Sequence, residues 1–148
     1  GVLYSGDKTM IAKILEHLKE SKRMKGWNYN IAGSAVGRSA GYETAREIFK
    51  SHRTRFDALF IFDDRACEGV VVALLELGLR IPQDVALLSW ANKGVEIFSP
   101  VPVTRLEFDT AEHAKALLDD LESQIEGRSR RKITMRATLI PGRSCGMV

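Results

Sequence analysis

The sequence predicts an α/β domain: a mostly parallel sheet with helices on both faces. Three observations carry this. Apolar runs of strand length alternate with longer stretches at helical spacing, the pattern of successive strand–helix–strand units. Two of the runs, "ALFIF" at 58–62 and "VALLSW" at 85–90, are continuous, as in parallel strands covered on both sides. The 148 residues, 45% of them apolar, are enough for one domain with a real core.

The elements follow in order. Val2–Ser5 is a short β-like run. Asp7 opens a segment with Ile11, Ile14, Leu15 and Leu18 at helical spacing. Trp27–Ala32 reads as a weaker strand. Gly41–His52 reads as a helix with Tyr42, Ala45, Ile48 and Phe49 on one face. Ala58–Phe62 is a strand. Arg65–Leu77 is a helix with Ala66, Val70, Ala73, Leu74 and Leu77 inward, stopped by Gly78, a favourable residue just past a helix end. Asp84–Trp90 is a strand, and Thr104–Phe108 is extended after Pro100 and Pro102. Ala114, Leu117, Leu118, Leu121 and Ile125 form one stripe of an amphipathic helix. Ile133–Ile140 is a final strand of mostly alternating type.

Charged residues make up 28%, and the net charge of +3 with a pI near 9.0 permits an acidic partner without arguing for one. No apolar stretch approaches the ~20 residues of a membrane helix. Cys67 and Cys145 lie far apart, without C-x-x-C spacing, and read as reduced thiols of a cytoplasmic protein. The chain opens "GVLYSG", with no initiator Met and no signal peptide, and reads as a piece of a longer protein.

In sheets of this kind ligands sit beyond the carboxyl ends of the strands. There the apolar run from Leu59 meets two adjacent acids, Asp63 and Asp64. Asp64 is expected to cap the following helix. Asp63, the last strand residue, is then the candidate ligand contact, with shared capping or a loop salt bridge as its alternative. Trp90, at the end of another strand, is either core or a stacking surface.

Other signals are weaker as chemistry. "GRSCG" at 142–146 matches the nucleophile elbow but is followed by neither a helix nor a His. "GSAVGRS" at 33–39 is one residue short of a phosphate loop, with Arg38 where Lys belongs, and reads as a plain loop. His17, His52 and His113 lack metal-ligand spacing. "RSRRK" at 128–132 reads as a solvated loop. These patterns predict no enzyme, metal or cofactor.

From Phe56 onward the segments "FDALFIFDDRACEGVVVALLELGLRIPQDVALLSWAN", "PVPVTRLEFDTAEHAKALLDDL", "IEGRS" and "LIPGRSCG" come in an order that resembles the effector-binding core of the LacI/GalR family of bacterial transcription regulators. The resemblance is looser from Val2 to His52. It implies a two-lobed fold like periplasmic binding proteins, with a small polar, sugar-like effector between the lobes. It also implies a homodimer, and operator DNA bound through an amino-terminal domain absent from these 148 residues. Residues 1–148 would be the C-terminal lobe, and the helix within 109–127 would cross over and pack on the other lobe. Asp63 falls where the family has an Asn or Asp touching the effector. Ser89, Trp90 and Ala91 fall on its Gly-aromatic-Asp triplet, so Ala91 departs from the pattern and Asn92 is the substitute donor. Where the family's first helix carries an Arg, this chain has Met10, with Lys8 and Lys13 nearby. The site expected from the resemblance is Asp63 and Asn92 as hydrogen-bonding groups, Trp90 as stack or wall, and Ser34 and Lys8 on the rim. A periplasmic solute-binding protein of an ABC transporter is the alternative of the same fold.

Overall fold

The computed structural model describes residues 2–4, helical positions 12, 13, 15–17 and 20 (helix α1), and residues 31–50, 56–128 and 134–146. The strands are β1 (Val2–Tyr4), β2 (Ile31–Ser34), β3 (Ala58–Ile61), β4 (Ala86–Asn92), β5 (Thr104–Phe108) and β6 (Thr138–Ile140). The further helices are α2 (Gly37–Lys50), α3 (Asp64–Glu76) and α4 (Thr110–Ile125). The strand order is β2-β1-β3-β4-β5-β6. Pairings from β2 through β5 are parallel, and only β6 runs antiparallel, against β5. The expected mostly parallel α/β architecture is therefore what the chain adopts.

Along β3 and β4 burial alternates. Leu59, Ile61, Leu87, Ser89 and Ala91 are buried, and the residues between them are half-buried. The buried face packs on α2 and α3 through Ala45, Ala66, Cys67, Val70, Val71, Ala73 and Leu74. The two helices approach unusually closely, because a Cβ at Gly41 would overlap the Ala66 carbonyl and one at Gly69 the Arg38 carbonyl. Glycine there removes the side chains that would hold the backbones apart, and this outweighs the ~0.5–1 kcal/mol it costs inside a helix.

Several boundaries differ from the sequence reading. α2 begins at Gly37 rather than Gly41, because its first turn carries no apolar periodicity and is held by a side chain from elsewhere. β3 ends at Ile61, and β6 covers only Thr138–Ile140. β4 starts two residues late and runs on to Asn92. Gly78 adopts φ +73° after α3, and Leu79 N–H returns to Leu74 O at 2.9 Å, the helix stop that its position implied. His52 and most of "RSRRK" lie outside the described residues.

The chain's carboxyl end returns to staple the sheet. Ser144, fully buried in a short 3-10 turn, donates its hydroxyl to Leu87 O at 2.6 Å and accepts Thr104 N–H at 2.9 Å. Both bonds give it a structural task, in keeping with the weak standing of "GRSCG" as an elbow.

Candidate functional site

Because β1 to β5 are parallel, their carboxyl ends share one edge of the sheet. Ser34 closes β2, Asp63 lies two residues beyond β3, and Asn92 closes β4. The order 2-1-3-4-5 reverses between β1 and β3, which is the switch point where such sheets open a crevice. Asp63 stands beside it.

The cap expected of Asp64 falls on Asp63 instead. Asp63, in extended backbone (φ −149°, ψ 121°), is the cap of α3, and its Oδ1 accepts Ala66 N–H at 2.6 Å. Asp64 is already the first helical residue and supplies negative charge to the first turn. The physical reason is reach. The capping oxygen bonds the amide three residues on, and the residue that keeps strand geometry is the last one before the turn. Oδ1 of Asp63 also accepts Gly37 N–H at 3.3 Å. The loop at 33–39 therefore gives the first amide of α2 to a protein carboxylate rather than to a phosphate.

A second acid completes this lacing. Glu68 on α3 is only 6% exposed. Its Oε2 accepts a hydrogen bond from Arg38 Nε, and its Oε1 accepts Phe98 N–H at 3.1 Å. Burial pushes its pKa up most strongly, but the Arg38 bond, the Phe98 amide and the charges of Arg38 and Arg65 together hold it below the usual 4.5. Asp63 and Glu68 thus tie three segments together, each leaving the same sheet edge: the start of α2, the start of α3 and the loop after β4. Sequence reasoning missed Glu68. The available signal was Gly69 beside it, which lets the Arg38 backbone come close.

Asn92 is exposed at the tip of β4, and its carbonyl accepts Val95 N–H at 3.0 Å, which turns the chain away from the edge. Next to it Lys93 Nζ meets Asp109 Oδ2 at 2.7 Å, and Asp109 caps α4. The pair holds Asp109 below and Lys93 above their ordinary pKa ranges.

Trp90 lies on the sheet face opposite α2 and α3, within an aromatic row. It stacks on Phe108 at 3.8 Å and 9°, and Phe62 flanks it at 5.4 Å, with Phe60 beyond at 4.3 Å from Phe62. β3 and β5 lie on opposite sides of β4, so both indole faces have a phenyl neighbour. Such pairs add about 0.5–1.5 kcal/mol each beyond burial. The structure thus brings Ser34, Asp63, Trp90 and Asn92 to one edge. For Ser34 it describes the backbone only, and Lys8 lies outside the described residues. Among the described residues no cluster of His, Cys, Asp and Glu could hold a metal, and no helix is long and apolar enough to cross a membrane.

An open parallel sheet with polar groups gathered at its switch point defines a ligand-binding scaffold. The chain belongs to the periplasmic binding protein-like domain family, whose pattern matches residues 9–145. It is 32% identical over 134 residues to the HTH-type transcriptional repressor MelR of Bacillus subtilis, covering 86% of this chain and 39% of the relative. To the ribose operon repressor of Escherichia coli it is 27% identical over 123 residues, covering 80% and 37%. Among solved structures it superposes on the lac repressor dimer bound to operator and the anti-inducer ONPF with a TM-score of 0.77 at 14% identity, over 98% of this chain and 51% of that one. The chain spans about two fifths of the length of the curated relatives it matches.

Proposed function

We propose that the chain is the C-terminal lobe of the effector-sensing core of a LacI/GalR-type transcriptional repressor. The carrying observation is the shared edge. The tips of parallel strands bring Ser34, Asp63 and Asn92 together at the switch point of a family member whose named relatives are repressors. A small polar effector would bond Asn92 and Asp63 Oδ2, which has no hydrogen bond to a described residue, with Trp90 as stack or wall and Ser34 and Lys8 on the rim. The relative named for a ribose operon supports a sugar-like effector. Effector held between two lobes would favour one relative orientation of them, and so alter the spacing of the DNA-binding heads of a homodimer. It does this only as far as its affinity differs between the orientations. The reading is of a cytoplasmic, non-enzymatic sensor. The alternative, a solute-binding protein of a transporter, loses ground because the relatives named above are repressors.

The same reading explains α4. Leu117, Leu118, Leu121 and Ile125 are all more than half exposed, up to 78% at Ile125, while the opposite side of the helix, at Ala116, Asp120 and Ser123, is covered. The bare stripe is the surface for the other lobe.

Isothermal titration of the full-length protein with a panel of pentoses, hexoses and disaccharides tests the site. The sugar that binds should lose at least about tenfold in affinity on Asn92→Ala, the worth of one well-made hydrogen bond in a closed site. Asn92 is exposed, so the substitution removes no buried packing. Unchanged affinity removes Asn92 from the site, and no binding by any sugar overturns the sugar reading.

A further inference from the structure

The tip of one more strand belongs to the ligand edge. β3 pairs with β4 only as far as Ile61 opposite Ser89, whereas β4 pairs with β5 on to Asn92 opposite Phe108. Residues 90–92 and 106–108 therefore form a two-stranded ribbon that runs past β3. Asn92 ends one strand of this ribbon, and Glu107 lies one residue from the end of the other.

Register decides which face Glu107 takes. Side chains alternate along a strand, and direct partners in a parallel pair share a face. Glu107 thus stands beside Ala91, its partner on β4. Ala91 stops at its Cβ and brings no polar group, so Glu107 is the polar side chain at that register. The Glu107 side chain is only 13% exposed, and a carboxylate withdrawn from water needs partners. Arg105, two residues back on the same face, is one of them: its Nε and Nη2 both lie 2.8 Å from Oε1. Oε2 has no hydrogen bond to a described residue. Glu107 is held by one oxygen and offers the other.

Charge at this edge is uneven. Arg38, Lys93 and Arg105 are each held by an acid: Glu68, Asp109 and Glu107 in turn. Asp63 Oδ2, like Glu107 Oε2, has no such partner among the described residues. Two carboxylate oxygens of this kind accept hydroxyl hydrogens and repel a further negative charge.

We propose that Glu107 is a specificity-determining residue of the effector site: its Oε2 accepts a hydroxyl of an uncharged sugar, and together with Asp63 it turns away phosphorylated and carboxylated sugars. The inference rests on the reading above, in which a sugar-like effector binds at this edge, and adds to it a residue and a charge class.

Isothermal titration of the full-length protein tests it, with circular dichroism confirming that each variant is folded. Each sugar of the panel above is set beside an anionic form of itself, such as glucose 6-phosphate, galacturonate or ribose 5-phosphate. A neutral sugar should bind, and its anionic form should bind at least about tenfold more weakly. Glu107→Gln, equal in size, should weaken the neutral sugar by at least about tenfold, the effect of losing a hydrogen bond to a charged acceptor. It should also narrow the gap to the anionic form by at least about threefold. Arg105→Gln breaks the same ion pair but keeps the carboxylate, so the gap should stay at its wild-type width. A wild type that binds the anionic forms as tightly as the neutral ones overturns the charge selection. A Glu107→Gln that keeps either the neutral-sugar affinity or the gap of the wild type overturns the role of Glu107, and leaves Asn92→Ala to test the site itself. A gap that narrows equally in Arg105→Gln assigns the effect to the ion pair and overturns the role of Oε2. No binding by any sugar overturns the sugar reading, and this inference with it.

Discussion

Asp63 and Glu68 show how single carboxylates tie separate segments of the chain together. Asp63 Oδ1 serves two backbone amides, Ala66 and Gly37, so Asp63→Ala removes a cap and the tie to α2 together. We expect a loss of about 1–2 kcal/mol in urea unfolding, with Asp63→Asn losing less because its amide oxygen still caps. A loss below a few tenths of a kcal/mol would show that the cap is dispensable. Glu68 sets a pH dependence. Its folded pKa lies below the unfolded value near 4.5, so its contribution is complete above that value and drains as pH falls through the lower folded one. Glu68→Gln should cost roughly 1–2 kcal/mol at pH 7, discounted for the exposed Arg38 partner. The gap to wild type should narrow below pH ~4.5, and a gap that is flat from pH 7 to 3 would contradict the ion pair. Cys67 lies in the same helix, and burial pushes its thiol up to about 12. Of the two thiols in these 148 residues, only the exposed Cys145 should react with DTNB in the native state, and both after unfolding.

At the level of elements, what the sequence makes legible and what it hides have physical causes. "ALFIF" and "VALLSW" are legible as strands because their apolar runs are too short for helices and bounded by turn residues. The inward set of α3 is legible because Ala66, Val70, Ala73 and Leu74 repeat at helical spacing, and all four are buried. The start of α2 is not legible, because "GRSA" has no apolar period and depends on the distant Asp63 carboxylate. The choice between Asp63 and Asp64 as cap turns on one residue of backbone geometry, below what adjacent identical side chains can signal. Both residues of the Glu68–Arg38 pair look like surface charges when read along the chain, and only the close crossing at Gly69 brings them together. That crossing is open to test. Gly69→Ala must push α2 away from α3, so we expect a loss of about 1–3 kcal/mol, more than overpacking an ordinary surface position would cost. A neutral Gly69→Ala would mean that the helices can separate freely.

The whole molecule divides its apolar surface between two sides. One face of the sheet is closed by α2 and α3, and Leu59, Ile61, Leu87, Ser89 and Ala91 on it are less than a tenth exposed. α4 leaves that body through β5 and turns Leu117, Leu118, Leu121 and Ile125 outward. Leu117, Leu118 and Leu121 are already nearly half covered, so covering the rest is worth roughly 1 kcal/mol apiece. Under the proposed two-lobed reading that stabilisation is absent from these 148 residues alone and present in the full-length protein. The same double substitution, Leu118→Gln with Leu121→Gln, should therefore act differently in the two. In the 148-residue chain it removes no buried contact, and its unfolding free energy should change by less than about 0.5 kcal/mol. In the full-length protein it puts two amides into a covered seam and should cost at least about 2–3 kcal/mol. Urea unfolding of both pairs, mutant against parent, measures the difference directly. Equal losses in the two backgrounds would mean that the stripe meets nothing in the longer chain, and α4 would then need a different partner.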